Sequence, residues 1–435
     1  MFKNETKYDG EMVEKETYIV YFRDRNKQEN FCQGVGNVIQ ILIIADDDTG
    51  MLDAGAPFAK RGIRTEAIIQ EPSAALLKES EAVVAVVSTK TRHAPRDQAY
   101  QRVYKIARIA LEAGVPILYK KTDSALRGPV GAELEALMDA ADDNLSFFPA
   151  YPDAGRTTVK GVQYVDGIPV GESVFSKDEL NPVVQSDIPD ILRQTTDAAA
   201  VLAGEMESQR SEKHQITIFD AENTEAFHRT VKEFLEKTTP RLLAGCAGLA
   251  CELADLLSFP KSVVPKFPVV KRLFVLCGSS NPVTAEQVDY AAAHGFTRFT
   301  LKKEDMTGKE QLLDIRKACV EGKPIILAME YLLPETAGRP GIKKQELGNL
   351  IIESVNQVLL QCMDVLPDYV LFLTGGDTLG TFIQRSGCER IQILGEFSPG
   401  VIKNLFYING KKVYAFSKSG GFGNKELLLQ LFNET

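Results

Sequence analysis

Short apolar runs rich in β-branched residues recur along the chain, and stretches with helical periodicity separate them. The first is Val38–Ala45, a continuous apolar run that predicts a strand buried on both faces. Asp46-Asp47-Asp48-Thr49-Gly50 follows at its carboxyl end, and a helix is predicted over about Asp53–Arg61. Thr65–Ile69 and Ala82–Ser88 predict the next strands. Pro95–Ala113 predicts a helix, with proline early and Gly114 just past its end. Val115–Tyr119 predicts another strand and Gly131–Ala141 another helix. Strands alternating with helices imply a mostly parallel sheet covered on both faces.

The stretch from Pro149 to about Pro189 is rich in Gly, Pro and Asp and reads as a long, functional loop. Gln215–Phe219 and Val231–Leu235 predict a further strand and helix. Ser258–Pro268 holds three prolines in eleven residues and is the best linker in the chain. The alternation then restarts, with strands at Arg272–Cys277, Pro324–Met329 and Asp368–Thr374 and helices at Val283–His294 and Gln345–Met363. The expected fold class is α/β: two α/β domains with mostly parallel sheets and an interdomain cleft. The expected division is a polar extension over 1–37, a first domain over 38–257, a linker over 258–268 and a second domain over 269–435. The extension reads either as an arm or as an over-extended gene start.

Composition narrows the function. The 435 residues are 44% apolar and 25% charged, ordinary for a globular protein with a sizeable core. A net charge of -9 argues against a nucleic-acid partner but not against a small anion, which needs only a few local cations and amides. The seven cysteines form no CxxC pair and read as reduced thiols; the four histidines stand alone, with no HExxH helix. The N-terminus lacks a signal-peptide pattern and no run is long enough to span a membrane, so a cytoplasmic protein is expected.

Candidate chemistry sits at strand ends, where open α/β sheets bind ligands. In the second half, the strand ending at Thr374 runs into Gly375-Gly376-Asp377-Thr378. Its glycines and helix N-terminus suit a phosphate; Asp377 or Thr378 is expected to cap the helix, and a carboxylate there suits magnesium. Lys418-Ser419-Gly420-Gly421-Phe422-Gly423 reads as a second backbone nest, with Lys418 supplying charge, and Gly278-Ser279-Ser280 as a third. Neither a Walker A loop nor GxGxxG occurs. In the first half, Asp46, Asp47 and Asp48 crowd one tip, with Asp48 or Thr49 expected as a helix cap. Lys120 to Gly128 puts Lys121, Thr122, Asp123, Ser124 and Arg127 at another, and Arg92 stands near a third. Arginine or lysine suits a ligand carboxylate and aspartate suits its hydroxyls. Surface solvation would account for Lys90 and Lys120. Arg156, in Gly155-Arg156-Thr157-Thr158, is placed to close over a ligand.

These motifs, in this order, resemble the four-carbon acid sugar kinases, from about Ile39 to the C-terminus. They are Ala45–Gly50, Lys121–Gly128, Pro149–Thr158, Gly278–Ser280, Gly375–Thr378 and Ser419–Gly423. The resemblance implies a sugar-acid-binding first domain and an ATP-binding second domain. It implies substrate contacts at Asp47, Arg92 and Lys121 to Ser124, and ATP contacts at Ser279, around Gly376 and along Gly420 to Gly423. The activity implied is phosphorylation of the terminal hydroxyl of D-threonate, D-erythronate or a 3-oxo-tetronate, with ATP and Mg²⁺. Asp178–Val183 leans toward the threonate/erythronate branch, whereas Asp48 and Met51-Leu52 depart from the family's usual residues. Asp47 or Asp123 is then expected to orient or deprotonate the acceptor hydroxyl, with Arg92 or Lys121 on the carboxylate. A homodimer is compatible with this reading. The alternatives are an NAD-dependent oxidoreductase, against which the missing GxGxxG counts, and a non-catalytic sugar-acid sensor, against which the full set of glycine loops counts.

Overall fold

The computed structural model describes residues 21–22, 39–178, 180–204, 214–279, 281–301, 309–329 and 344–433. Almost all of the expected extension over 1–37, and Ser280 of the third glycine motif, lie outside the described residues. A two-residue strand β1 (Tyr21–Phe22) precedes the first half proper. That half continues with β2 (Ile41–Ala45), α1 (Asp48–Lys60), β3 (Thr65–Ile68), α2 (Ala74–Glu79), β4 (Val84–Ser88), α3 (Arg96–Ala113), β5 (Ile117–Lys121) and α4 (Val130–Ala141). It goes on through β6 (Leu145–Phe148), β7 (Arg156–Val159), β8 (Val162–Val165), β9 (Ile168–Pro169), α5 (Ile188–Arg193) and β10 (Ala199–Leu202). It closes with β11 (Gln215–Ile218), α6 (Thr224–Lys237), β12 (Leu242–Gly245), α7 (Ala247–Leu256) and β13 (Leu257–Ser258).

The second half holds β14 (Leu273–Cys277), α8 (Pro282–Ala293), β15 (Thr297–Leu301), α9 (Lys309–Val320), β16 (Ile325–Met329), α10 (Lys344–Cys362) and β17 (Val370–Thr374). Then come α11 (Gly376–Arg385), β18 (Cys388–Ser398), β19 (Val401–Ile408), β20 (Lys411–Lys418) and α12 (Leu427–Gln430).

The α/β class and the mostly parallel pairing are as expected, but in place of a separate sheet in each half there is one continuous 15-stranded sheet, in the order β10-β11-β6-β12-β5-β2-β4-β3-β18-β19-β20-β17-β14-β16-β15. Both wings are parallel. The antiparallel run β18-β19-β20 joins them, with β18 pairing antiparallel to β3 of the first half. The helical and β alternation of Cys388–Lys418 is too irregular to announce these three strands, because bulges at β18 shift the register three times. The inner strands of the wings are buried on both faces, as continuous apolar strands require: every residue of β2, β14 and β17 is buried, whereas the outer strands β10 and β15 are half-buried.

The long segment after Pro149 is not structureless. It folds into the small antiparallel sheet β7-β8-β9 and short 3₁₀ turns. The six described cysteines are free, in line with reduced thiols. No helix among the described residues is long and apolar enough to cross a membrane.

Candidate functional site

In the first half, the carboxyl ends of β2, β4 and β5 lie side by side, because β2 pairs parallel with both β4 and β5. The three tips bring Asp46–Thr49, Thr89–Arg92 and Lys121–Ser124 together. Helix α1 starts earlier than its apolar periodicity suggests, and its cap is Asp47, not Asp48 or Thr49. The Asp47 carboxylate accepts the Gly50 N–H at 2.7 Å and the Thr49 hydroxyl at 3.0 Å.

Arg92 neutralises the acidic tip. Its Nε donates to Asp46 at 2.8 Å, Nη1 to Asp47 at 2.5 Å, and Nη2 lies 3.6 Å from Asp123. Arg127 grips Asp123 with two parallel bonds of 2.9 Å and reaches Asp178 at 3.1 Å. Burial works against the charge of Asp46 and Asp123, but the arginines prevail and hold both carboxyls below their usual range. Asp48 is set apart and pairs with the half-exposed Lys90 at 3.2 Å.

Lys121 differs from the arginines. Its ammonium makes no hydrogen bond among the described residues, and its closest carboxylate oxygen is on Asp46, 4.0 Å away. Burial opposes its charge, yet Asp46 and Asp47 raise its pKa, so it stays a cation. That Asp46 Oδ1 and the neighbouring Thr122 hydroxyl are buried without a hydrogen-bond partner among the described residues. An ammonium without a hydrogen bond, and a carboxylate oxygen and a hydroxyl buried without one at the same strand tips, are groups that a hydroxy acid would satisfy. The Ser124 carbonyl accepts from Gln163 at 3.1 Å. Above this site, Arg127 and Arg156 flank the Phe175 ring at 5.0 and 5.9 Å. Arg156 is further held by Asp166 at 3.6 Å.

Sequence reasoning missed Asp53, one and a half turns beyond Asp47 on α1. Burial pushes its carboxyl up to about 6, against the pull of Lys121 and with help from Glu396 and Asp47. The only signal in the sequence was its place in the acidic N-terminal turns of α1. Lys120, which the sequence offered either as a strand-tip cation or as a solvated surface lysine, is fully buried and pairs with Glu133 at 3.1 Å.

In the second half, β20, β17 and β14 are parallel neighbours, so the three glycine motifs converge. The Gly375 N–H donates to the Lys418 carbonyl at 3.0 Å. A side chain on Gly420 would strike Ser279 Oγ at 2.6 Å, and one on Gly278 would strike Thr378 Oγ1 at 2.0 Å. Gly375 itself caps α11 at φ +105°, a conformation glycine favours, so neither Asp377 nor Thr378 is the cap. Thr374 and Thr378 present buried hydroxyls without partners, and Asp377 stands exposed beside them. The Phe422 ring lies over Gly400.

Lys418 does not face a ligand. Its buried ammonium donates to Thr284 Oγ1 at 3.1 Å and to the carbonyls of Ser419, Gly420 and Phe422 at 3.2, 3.0 and 3.3 Å. Thr284 and Gln287 take the same carbonyls from α8. A planar trans peptide points its N–H opposite its C=O. Drawing these three carbonyls inward therefore turns the N–H groups of Gly420, Gly421 and Gly423 outward, and among the described residues none has a protein acceptor. Burial lowers the Lys418 pKa to about 8, with Cys277 pulling the other way.

The two clusters meet. A side chain on Gly376 would touch Thr49 Oγ1 at 3.3 Å, and one on Gly380 would strike Asp48 Oδ2 at 2.4 Å. The N-termini of α1 and α11 thus abut, and each turns unsatisfied N–H groups and partial positive charge toward the junction.

Comparison with known proteins agrees with this layout. Residues 41–253 match a family described as a sugar-binding N-terminal domain, and residues 274–428 one described as a nucleotide-binding C-terminal domain. A D-threonate kinase of Salmonella typhimurium is 28% identical, covering 90% of this chain and 97% of its own. A D-erythronate kinase of Heliobacterium modesticaldum is 26% identical over 91% and 98%, and a 3-oxo-tetronate kinase of Salmonella typhimurium is 28% identical over 91% and 99%. A crystal structure from Salmonella typhimurium LT2, described as a tRNA synthase, superposes with a TM-score of 0.74 at 22% identity over 90% of this chain and 98% of that one. At that identity the likeness concerns the fold alone. Fold and site together define an α/β class in which a sugar-binding half faces a nucleotide-binding half. The chain belongs to the four-carbon acid sugar kinase family, and it is a sugar-acid kinase.

Proposed function

We propose that this enzyme transfers the γ-phosphoryl group of ATP to the terminal hydroxyl of a four-carbon sugar acid, with D-threonate or D-erythronate preferred over 3-oxo-tetronate. The observation that carries the reading is the junction of α1 and α11, where Thr49 meets Gly376. It sets the hydroxy-acid pocket against the amide-lined nest, as direct transfer between two substrates requires.

In this reading the N–H groups of Gly376, Gly420, Gly421 and Gly423 hold the triphosphate, with Ser279 at its side. Thr374, Thr378 and Asp377 offer the oxygen donors that suit a magnesium ion riding on the nucleotide, although no group of three acidic, His or Cys side chains placed to hold a metal ion occurs among the described residues. That ion would neutralise charge on the β- and γ-oxygens. Lys121 binds the substrate carboxylate, since its ammonium is free whereas Arg92 is committed to three aspartates. Asp46 Oδ1, Thr122 and Ser124 take substrate hydroxyls. Asp47 orients the attacking oxygen; Asp123, held deprotonated and gripped by two arginines, organises those arginines and is too weak a base to take a proton. The new bond joins the acceptor oxygen to the γ-phosphorus as the bond to the ADP oxygen breaks, and the hydroxyl proton leaves to a nearby carboxylate or water.

The test is ADP release from the purified enzyme with ATP–Mg across a panel of four-carbon acids. Turnover with threonate or erythronate supports the reading. No ADP with any acid, together with no heat from adenine nucleotides in calorimetry, would sink it.

A further inference from the structure

We infer that the Lys120–Glu133 ion pair is a buried positioning device that holds the three strand tips of the sugar-acid site in register. The inference rests on the reading above, in which those tips bind the acid.

Side chains alternate along a strand. Lys121 at the end of β5 therefore faces the pocket while Lys120 faces the other side of the sheet, under α4. Lys120 is 0% exposed and Glu133, in the first turn of α4, is 1% exposed. Their charged atoms are 3.1 Å apart. The pair does not stop there. Lys120 Nζ also donates to the Lys121 carbonyl at 2.9 Å, which fixes the β5 tip. The other oxygen of Glu133 accepts the Thr91 hydroxyl, one residue before Arg92. Thr91 Oγ1 packs 2.5 Å from Thr89 Oγ1, whose own proton goes to the Ala45 carbonyl at 2.9 Å, one residue before Asp46, so the two hydroxyls are in contact and not bonded to each other. The Thr91 N–H closes the circuit on the Asp46 carbonyl at 3.0 Å. Two buried side chains thus tie together the backbone beside Asp46, Arg92 and Lys121.

Stability is a poor reason for such a pair. Desolvating two charges offsets their attraction, and a well-packed apolar pair of similar volume commonly serves a fold as well. What an apolar pair lacks is the directional bonding that reaches Thr91 and the Lys121 carbonyl. Here the ions give the pocket its geometry.

The experiment compares wild type with Lys120→Met/Glu133→Leu and with Thr91→Val. Each is measured for Tm, for kcat/KM with the sugar acid, and for KM with ATP. The expected result is a Tm within a few degrees of wild type, a loss of about tenfold or more in kcat/KM for the acid, and a KM for ATP within about twofold. A purely structural role would lower Tm and disturb both substrates alike. Folded variants that keep kcat/KM for the acid within twofold of wild type overturn the inference; if the double variant does not fold, Thr91→Val decides alone. Should the wild type phosphorylate no acid, the functional reading has failed, and amide exchange still judges the pair. Faster exchange confined to 89–92 and 121–124 in a variant of unchanged Tm supports it, and unchanged exchange there refutes it.

Discussion

Individual side chains carry most of the discriminating evidence. Asp47 caps α1 and, in the proposed function, also faces the acceptor, and Asn caps as well as Asp. Asp47→Asn should therefore leave Tm nearly unchanged while lowering kcat/KM for the sugar acid by about a hundredfold, read from steady-state kinetics. Equal loss of Tm and activity would reduce Asp47 to a cap. Asp53 makes the opposite forecast for stability. Its carboxyl titrates at about 6 in the folded chain against 3.8 ordinarily, so it favours folding below about pH 4 and loses that contribution as pH rises through 6. At pH 8 the ionised, buried group costs up to about 3 kcal/mol. Asp53→Asn should raise Tm by a few degrees at pH 8 and by nothing at pH 4, checked by thermal melts across that range. The aspartates were visible as a run, but their separate roles were not. Only Arg92, arriving from 46 residues away, sorts Asp46 and Asp47 from Asp48.

Among the elements, the loop after β20 shows how a single cation shapes a backbone. Lys418 gathers three carbonyls and leaves three amides facing out, and its titratable neighbour across the sheet is Cys277 on β14. Phosphates bound at those amides would favour the charged form of Lys418. ATP affinity should therefore fall as pH rises through about 8, and binding at pH 8.5 should take up a proton. Calorimetry in two buffers of different ionisation enthalpy measures that uptake. Lys418→Met should abolish the uptake and raise KM for ATP about tenfold, leaving KM for the sugar acid unchanged. Uptake that persists in the variant would place the titrating group elsewhere. The glycines of this loop were legible in the sequence, because three in four residues have few other uses. The burial of Lys418 was not: a lysine ahead of a glycine cluster looks like a ligand's partner, and only the packing of α8 against β20 turns it inward.

The two halves share one 15-stranded sheet with two kinds of strand pairing, and in the proposed function the transfer takes place where the wings meet. At α1 and α11 the fit is close enough that Gly380→Ala would drive a methyl into Asp48. That variant should lower kcat about tenfold or more, with smaller changes in either KM, because each half keeps its own pocket while their alignment is lost. An unchanged kcat would mean that the junction does not set the transfer geometry. By itself the sequence determined the α/β class, most parallel strands and the motif residues at their tips, because buried parallel strands must be apolar throughout and anions call for glycine-rich turns. It determined the presence of acids and bases without their pairing. Only the tertiary structure decided that the antiparallel run of Cys388–Lys418 fuses both wings into one sheet, that Lys120 and Lys418 face inward, and that Lys121 is the ammonium left free. Those outcomes depend on contacts between residues far apart in the chain, and local periodicity carries no record of them.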